Sequence, residues 1–155
     1  MKKIEDILFI STTDTVVGIG GIVSDETLDA IYKVKKRERN KKIIILVSSL
    51  EQARSFKEWT DEANELAKKV WPGAVSIIVN NQGFRMPNQK GLLELIDEIG
   101  PIYMSSANLS GQPVIKIEDS KSVFPFITKV YNFGMPSGKP SKIINLDTNE
   151  IIERS

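Results

Sequence analysis

Ile43-Ile44-Ile45-Leu46-Val47-Ser48-Ser49-Leu50-Glu51-Gln52 is the stretch that decides the fold. Five consecutive aliphatic residues with no polar alternation read as a strand buried on both faces. Ser49-x-x-Gln52 behind it is a capping box, so the chain passes almost directly from strand into helix. A strand without a wet face needs cover on both sides, which points to an α/β domain.

Working outward strengthens that reading. Downstream, Asp61 to Val70 has helical spacing, with Ala63, Leu66, Ala67 and Val70 inward, and Trp71-Pro72-Gly73 stops it. Val75 to Val79 is a strand and Asn80 to Gly83 a turn. Leu92, Leu93, Leu95, Ile96 and Ile99 form a helical stripe ended by Gly100-Pro101. Ile102 to Met104 is a short strand, and a weak helix covers Glu118 to Phe124. Val130 to Asn132, Lys142 to Leu146 and Ile151-Ile152 are the last strands. Upstream, Ile7 to Ile10 is a buried strand and Val16 to Val23 a glycine-rich one with close backbone approaches. Ser24 or Asp25 caps a helix over Glu26 to Lys36. The late strands lack intervening helices, so the expected architecture is one twisted mixed sheet flanked by helices, a single domain over 1–155.

Composition narrows the chemistry. The 155 residues contain no cysteine and no histidine. Disulfides, thiolate metal sites and the usual general base are therefore excluded. Lysine and arginine total 21 against 20 acidic residues, a net charge of +1, which argues against a dedicated non-specific nucleic-acid binder. No apolar run reaches the ~18 residues of a membrane helix. Acidic residues at Glu5 and Asp6 stand where a secretory signal needs apolar ones, so a cytoplasmic location is the expectation and no membrane partner is expected. Two motifs are decoys. Gly134-Met135-Pro136-Ser137-Gly138-Lys139-Pro140 has one residue too few for a phosphate-binding P-loop, and Pro140 stands where a hydroxyl belongs. Gly18-Ile19-Gly20-Gly21 lacks the third glycine of a dinucleotide fingerprint.

Four polar segments remain, each beside an expected strand end, where α/β sheets hold ligands. They are Thr13-Asp14-Thr15 with Gly18 and Gly20; Lys35-x-Arg37 with Arg39, Lys41 and Lys42; Trp71 to Ser76 followed by Arg85-Met86-Pro87; and Ser106-Ala107-Asn108-Leu109-Ser110-Gly111. Taken singly, each has a plain structural reading. The basic run is a solvated helix end, Thr13 to Thr15 a turn, Trp71-Pro72-Gly73 a helix stop, and Ser106 to Gly111 a polar cap.

Taken in order, they resemble the YrdC-like family of threonylcarbamoyl-AMP synthases (TsaC type). That family's pattern runs Pro-Thr-Asp-Thr-x-Tyr-Gly-x-Gly, Lys-x-Arg, Trp-Pro-Gly-Pro-x-Thr, Val-x-Arg-x-Pro, Ser-Ala-Asn-x-Ser-Gly and a late Ser-Thr with aliphatics. Pro140-Ser141-Lys142-Ile143-Ile144 stands in for the last. The resemblance spans about Ile7 to Asp147. It implies synthesis of threonylcarbamoyl-AMP from L-threonine, bicarbonate and ATP, with Mg2+ accompanying the ATP and pyrophosphate released, on a concave basic surface. The product would serve tRNA modification through downstream transfer proteins. The implied ATP contacts are Arg37, Lys41, Ser76, Ser106, Asn108 and Ser141. The implied threonine contacts are Thr13, Thr15, Arg85 and Ser106. Lys35, Arg37 and Arg85 would supply charge and positioning; no residue is assigned as general base or resident metal ligand. Six positions depart from the pattern: Thr12 and Ala74 for prolines, Val17 for tyrosine, Ser76 for threonine, and Leu46 and Gln89 for histidines. The alternative is an RNA-binding module on the same scaffold. A carbamoyl-AMP-handling domain, as in hydrogenase maturation proteins, is expected in much longer chains. Gly134 to Pro140 is a candidate lid.

Overall fold

The computed structural model describes residues 3–39 and 42–154. In chain order the elements are α1 (Ile4–Ile7), β1 (Phe9–Ser11), β2 (Gly18–Ile22), α2 (Asp25–Lys35), β3 (Ile44–Leu46), α3 (Leu50–Arg54), α4 (Asp61–Val70), β4 (Val75–Val79), β5 (Gln82–Arg85), α5 (Lys90–Ile99), β6 (Ile102–Ser106), a 3-10 turn at Ile117–Asp119, α6 (Ser120–Val123), β7 (Lys129–Tyr131), β8 (Lys142–Asn145) and β9 (Glu150–Ile152). The strands join in one mixed sheet in the order β7-β1-β2-β6-β3-β5-β4-β8-β9. Pairs β1/β7, β3/β5 and β4/β8 are parallel and the others antiparallel. The α/β mixed sheet flanked by helices is thus the architecture expected from sequence.

Local chemistry explains the boundaries. Ser24, Ser49 and Thr60 each accept a hydrogen bond from a backbone N–H three residues on, capping α2, α3 and α4. At α3 the capping box is shifted: Gln52 Oε1 accepts from Ser48 N at 2.8 Å, not from the Ser49 N–H. Ile7 ends a helical turn instead of opening a strand, because Leu8 N donates to Ile4 O at 2.9 Å. β2 starts at Gly18 instead of Val16, since the Thr13 hydroxyl gathers the N–H groups of Thr15 and Val16 into a turn. The expected turn at Asn80 to Gly83 is only two residues long. Asn80 and Asn81 take positive φ of 49° and 64°, and Gln82 and Gly83 already pair in β5. Positive φ at both central residues suits the twist of a tight hairpin.

Side-chain alternation divides the sheet into two faces. Ile10, Ile19, Tyr103, Ile45, Phe84 and Ile77 share one face by register. This face packs under the α2 residues Ala30, Ile31 and Tyr32 and the α4 residues Ala63 and Ala67. Phe9, Leu46, Ile102 and Met104 point the other way and receive Leu92 and Ile96 of α5. Because α5 covers only part of that second face, the strands beyond it are left open to a cavity.

Candidate active site

The cavity has a volume of about 1430 Å³. Its floor is built by residues two apart on neighbouring strands: Ile44 and Leu46, Ser76 and Ile78, Gly83 and Arg85, Ile143 and Asn145. Gly18 belongs to the same floor. A Cβ there would lie 2.5 Å from Met104 Sδ, so a side chain at this point would require Met104 to shift. The walls come from Thr13 to Val17, residues 114–118, and the segment from Asn132 to Ser141. Arg37, Lys42, Arg85, Lys116 and Arg154 line it, against Glu118 and Asp147. A surplus of cations favours anionic ligands.

Arg85 is held from three sides. Its Nη1 donates to Asp14 Oδ1 at 2.8 Å and to Gly73 O at 3.1 Å, and its Nη2 to Thr15 Oγ1 at 3.1 Å. The guanidinium side chain is 4% exposed and the Asp14 side chain 14%. Asp14 Oδ2 also accepts from Asn88 N at 2.9 Å, so one carboxylate joins the start of the chain to the end of β5. Sequence reasoning singled out the Thr13-Asp14-Thr15 segment but assigned Asp14 no role. An acid in a turn carries no local sign that it faces a buried arginine 71 positions away.

Lys35 and Asn108 lie behind the cavity wall. The Lys35 Nζ donates to Ser105 Oγ at 2.7 Å, Ser106 O at 2.6 Å, Ser106 Oγ at 3.2 Å and Asn108 Oδ1 at 3.3 Å. Asn108 donates to Leu109 O and Gln112 O, and its Oδ1 accepts from Ser106 Oγ. Both residues thus shape the loop that presents Ser106 to the cavity, instead of facing the cavity themselves. Burial, reinforced by the nearby Arg37 guanidinium, pulls the Lys35 ammonium down to about 8.

A third cluster joins Ser76, Ser141 and Arg154. The two buried hydroxyls lie 2.7 Å apart across β4 and the start of β8. Arg154 Nε donates to Ser141 O at 2.7 Å and its Nη2 to Ser141 Oγ at 2.9 Å. Burial and the charge of Arg85 both lower the Arg154 pKa from its ordinary value. Sequence reasoning named both serines and missed Arg154. An arginine after Ile151-Ile152-Glu153 gives no local signal; only β9 folding back on β8 brings it to the site.

The other expected residues are spread around the same cavity. Thr13 and Thr15 line it, and Thr13 also bonds Val16 O at 2.6 Å. Arg37 lines it too and donates to Lys42 O at 3.2 Å. Lys41 lies outside the described residues. Leu46 and Val17 are buried cavity-lining residues, whereas Thr12 and Gln89 lie outside the lining. The segment from Gly134 to Pro140 runs along the cavity. Ser137 N and Gly138 N donate to Asp14 O (3.1 Å) and Thr15 O (2.7 Å).

The chain is similar to known proteins in sequence and in fold. The profile of the Sua5/YciO/YrdC family, described as "Telomere recombination", matches residues 5–155. The chain belongs to the Sua5/YciO/YrdC family. A Mycoplasma genitalium protein designated uncharacterized protein MG259 is 32% identical over 150 residues, covering 92% of this chain and 31% of its own. A Mycobacterium leprae protein provisionally named threonylcarbamoyl-AMP synthase is 30% identical over 164 residues, covering 95% and 74%. The crystal structure of P. abyssi Sua5 complexed with L-threonine superimposes with a TM-score of 0.82 at 28% identity, covering 93% of this chain and 48% of that one. The chain therefore spans about a third of the Mycoplasma protein and about half of the Sua5 chain. No described helix is long and apolar enough to cross a membrane.

Proposed function

We propose that this member of the Sua5/YciO/YrdC family synthesises threonylcarbamoyl-AMP from L-threonine, bicarbonate and ATP, releasing pyrophosphate, as one domain over 1–155. The observation that carries the reading is the cavity, which gathers parts of every family-like segment at the end of one sheet face. At about 1430 Å³ it exceeds the ~300–1,000 Å³ of a typical single-ligand pocket, as a site for three reactants requires. The threonine complex of P. abyssi Sua5 and the synthase name of the M. leprae relative favour the same substrates.

The chemistry joins three anions, so repulsion must be offset before any bond forms. The threonine amine attacks the bicarbonate carbon, water leaves, and a carbamate forms on nitrogen. A carbamate oxygen then attacks the α-phosphorus, and pyrophosphate departs with the electron pair of the broken P–O bond. Arg85, pre-aimed by Asp14 and Thr15, receives the threonine carboxylate at the Thr13–Thr15 end, with Ser106 beside it. Arg37, Ser76, Ser141 and Arg154 receive the nucleotide, and Lys35 and Asn108 hold Ser106 in place. Lys41 remains part of the proposed ATP site. Among the described residues no three His, Cys, Asp or Glu side chains gather to hold an ion. Mg2+ would accompany the ATP as part of the substrate. Such a reaction needs positioning and charge neutralisation more than a protein base, which a histidine-free chain can supply. Use of the product on tRNA, through separate transfer proteins, belongs to the same proposal.

The test is direct. The full chain is incubated with L-threonine, bicarbonate, Mg2+ and ATP, with pyrophosphate release and product mass measured. Threonine-dependent pyrophosphate and a threonylcarbamoyl-AMP mass are expected. Their absence from folded protein, beside a working control enzyme, rejects the synthase reading and leaves RNA binding as the role to test.

A further inference from the structure

Two departures from the family-like pattern, Thr12 and Gln89, lie far apart in sequence and outside the cavity lining, yet both grip Phe133. The Phe133 N–H donates to Thr12 Oγ1 at 2.8 Å. The Phe133 carbonyl accepts from Gln89 Nε2 at 3.1 Å. Thr12 is fully buried, and its own N–H donates to Tyr131 O at 3.0 Å. The Thr12 hydroxyl therefore carries the β1/β7 pairing one step past the end of β7. Proline at this position could supply neither contact. The Gln89 side chain is also fixed from behind, because its Oε1 accepts from Gly91 N at 2.7 Å and caps α5. The ring of Phe133 occupies the space over Gly91, where a Cβ would meet ring carbon Cδ1 at 2.2 Å.

The segment after Phe133 gives the clamp its purpose. Gly134 and Gly138 take φ of 140° and 83°, values open mainly to glycine, and they bracket Met135-Pro136-Ser137. Gly134, Met135, Pro136 and Gly138 line the cavity, although Met135 is 96% exposed. A loop with so little side-chain burial stays in place only through its anchors. At its far side the anchors are Ser137 N on Asp14 O and Gly138 N on Thr15 O. Asp14 and Thr15 are the residues that hold Arg85.

We propose that Thr12 and Gln89 are a pair of positioning residues that act through Phe133 to hold the 134–140 segment against Asp14 and Thr15, closing the cavity beside Arg85. The kinetic part of this inference rests on the synthase reading; the mechanical part does not. Releasing either end of Phe133 lets the segment swing from its glycines, so ligand binding weakens before the chemistry is touched.

The experiment uses the full chain and three variants. Thr12→Val keeps the shape and removes the acceptor. Gln89→Glu keeps the acceptor for Gly91 N at a helix N-terminus and removes the donor to Phe133 O. Thr12→Ser retains a hydroxyl and serves as the rescue. Amide hydrogen exchange at Ser137 and Gly138 is read by NMR, together with KM and kcat. Thr12→Val and Gln89→Glu are each expected to speed exchange at both amides about tenfold, the scale of one net hydrogen bond. KM for threonine rises several-fold while kcat stays within about twofold, and Thr12→Ser behaves as the parent. Unchanged exchange in both variants overturns the clamp, as does faster exchange spread evenly over the whole sheet. Faster local exchange with an unaltered KM, in an active parent, overturns the link to ligand binding. Faster local exchange in a parent that makes no product upholds the clamp and refutes only the synthase reading.

Discussion

Replacing Asp14 by alanine is expected to cost far more than an acidic turn residue normally does. Arg85 is 3% exposed and its sole ion pair among the described residues is with Asp14 at 2.8 Å. After Asp14→Ala the guanidinium keeps only Gly73 O and Thr15 Oγ1, two neutral acceptors. Stranding a buried charge by deleting its partner costs about 3–5 kcal/mol. In a domain of this size each kcal/mol moves Tm by about 2–4 °C, so a fall of roughly 6–20 °C is expected. Two further measurements identify the cause. Asp14→Ala with Arg85→Met removes the stranded charge and recovers part of the loss, because a neutral side chain of similar reach tolerates burial. L-threonine raises the Tm of Asp14→Ala more than that of the parent, since its carboxylate can take the vacated place beside Arg85. The assay is thermal unfolding followed by circular dichroism, with and without threonine. A fall below about 2 °C, well under what the stranded charge requires, would refute the dependence of Arg85 on Asp14.

Three other outcomes rest on named contacts. Lys35 titrates at about 8 when folded against an ordinary 10.5, so the unfolded chain binds more protons between these values and stability rises with pH across that window. Urea unfolding at pH 8 and pH 10.5 is expected to show this rise in the parent and to show less of it in Lys35→Met. Gly91→Ala gains helix propensity of about 1 kcal/mol, yet its Cβ would sit 2.2 Å from the Phe133 ring. Tm is therefore expected to fall, and an increase would show that the ring moves aside freely. Arg154→Ala removes two donors to Ser141 from an exposed strand end, so calorimetry is expected to find ATP binding weakened about tenfold or more, with Tm nearly unchanged.

The legible part of the fold was carried by local patterns. Helix α4 and strand β4 match the expected Asp61–Val70 and Val75–Val79 at both ends, because a cap, a helical stripe and an aliphatic run lie within the elements themselves. Strand β5 was hidden in an expected turn, since Gln82-Gly83 resembles turn chemistry until a partner strand pairs with it. The site divides in the same way. Thr13, Thr15, Arg37, Ser76, Ser106 and Ser141 were recognisable within short ordered segments and all line or border the cavity. Arg154, the function of Asp14, and the withdrawal of Lys35 and Asn108 behind the wall were not recognisable. Each depends on contacts across many tens of residues or on which way one side chain turns.

By itself, the sequence determined the types of the longer elements, the absence of thiol and imidazole chemistry, and the set of polar segments available to a ligand. Those come from residue identity and short-range periodicity, which a chain carries wherever it goes. Tertiary structure decided which sheet face stays open, which cations reach it, and that Thr12 and Gln89 meet at Phe133. Strand order and register determine these features. A shift of one residue in register would turn Arg85 and Ser76 from the cavity face to the helix-covered face.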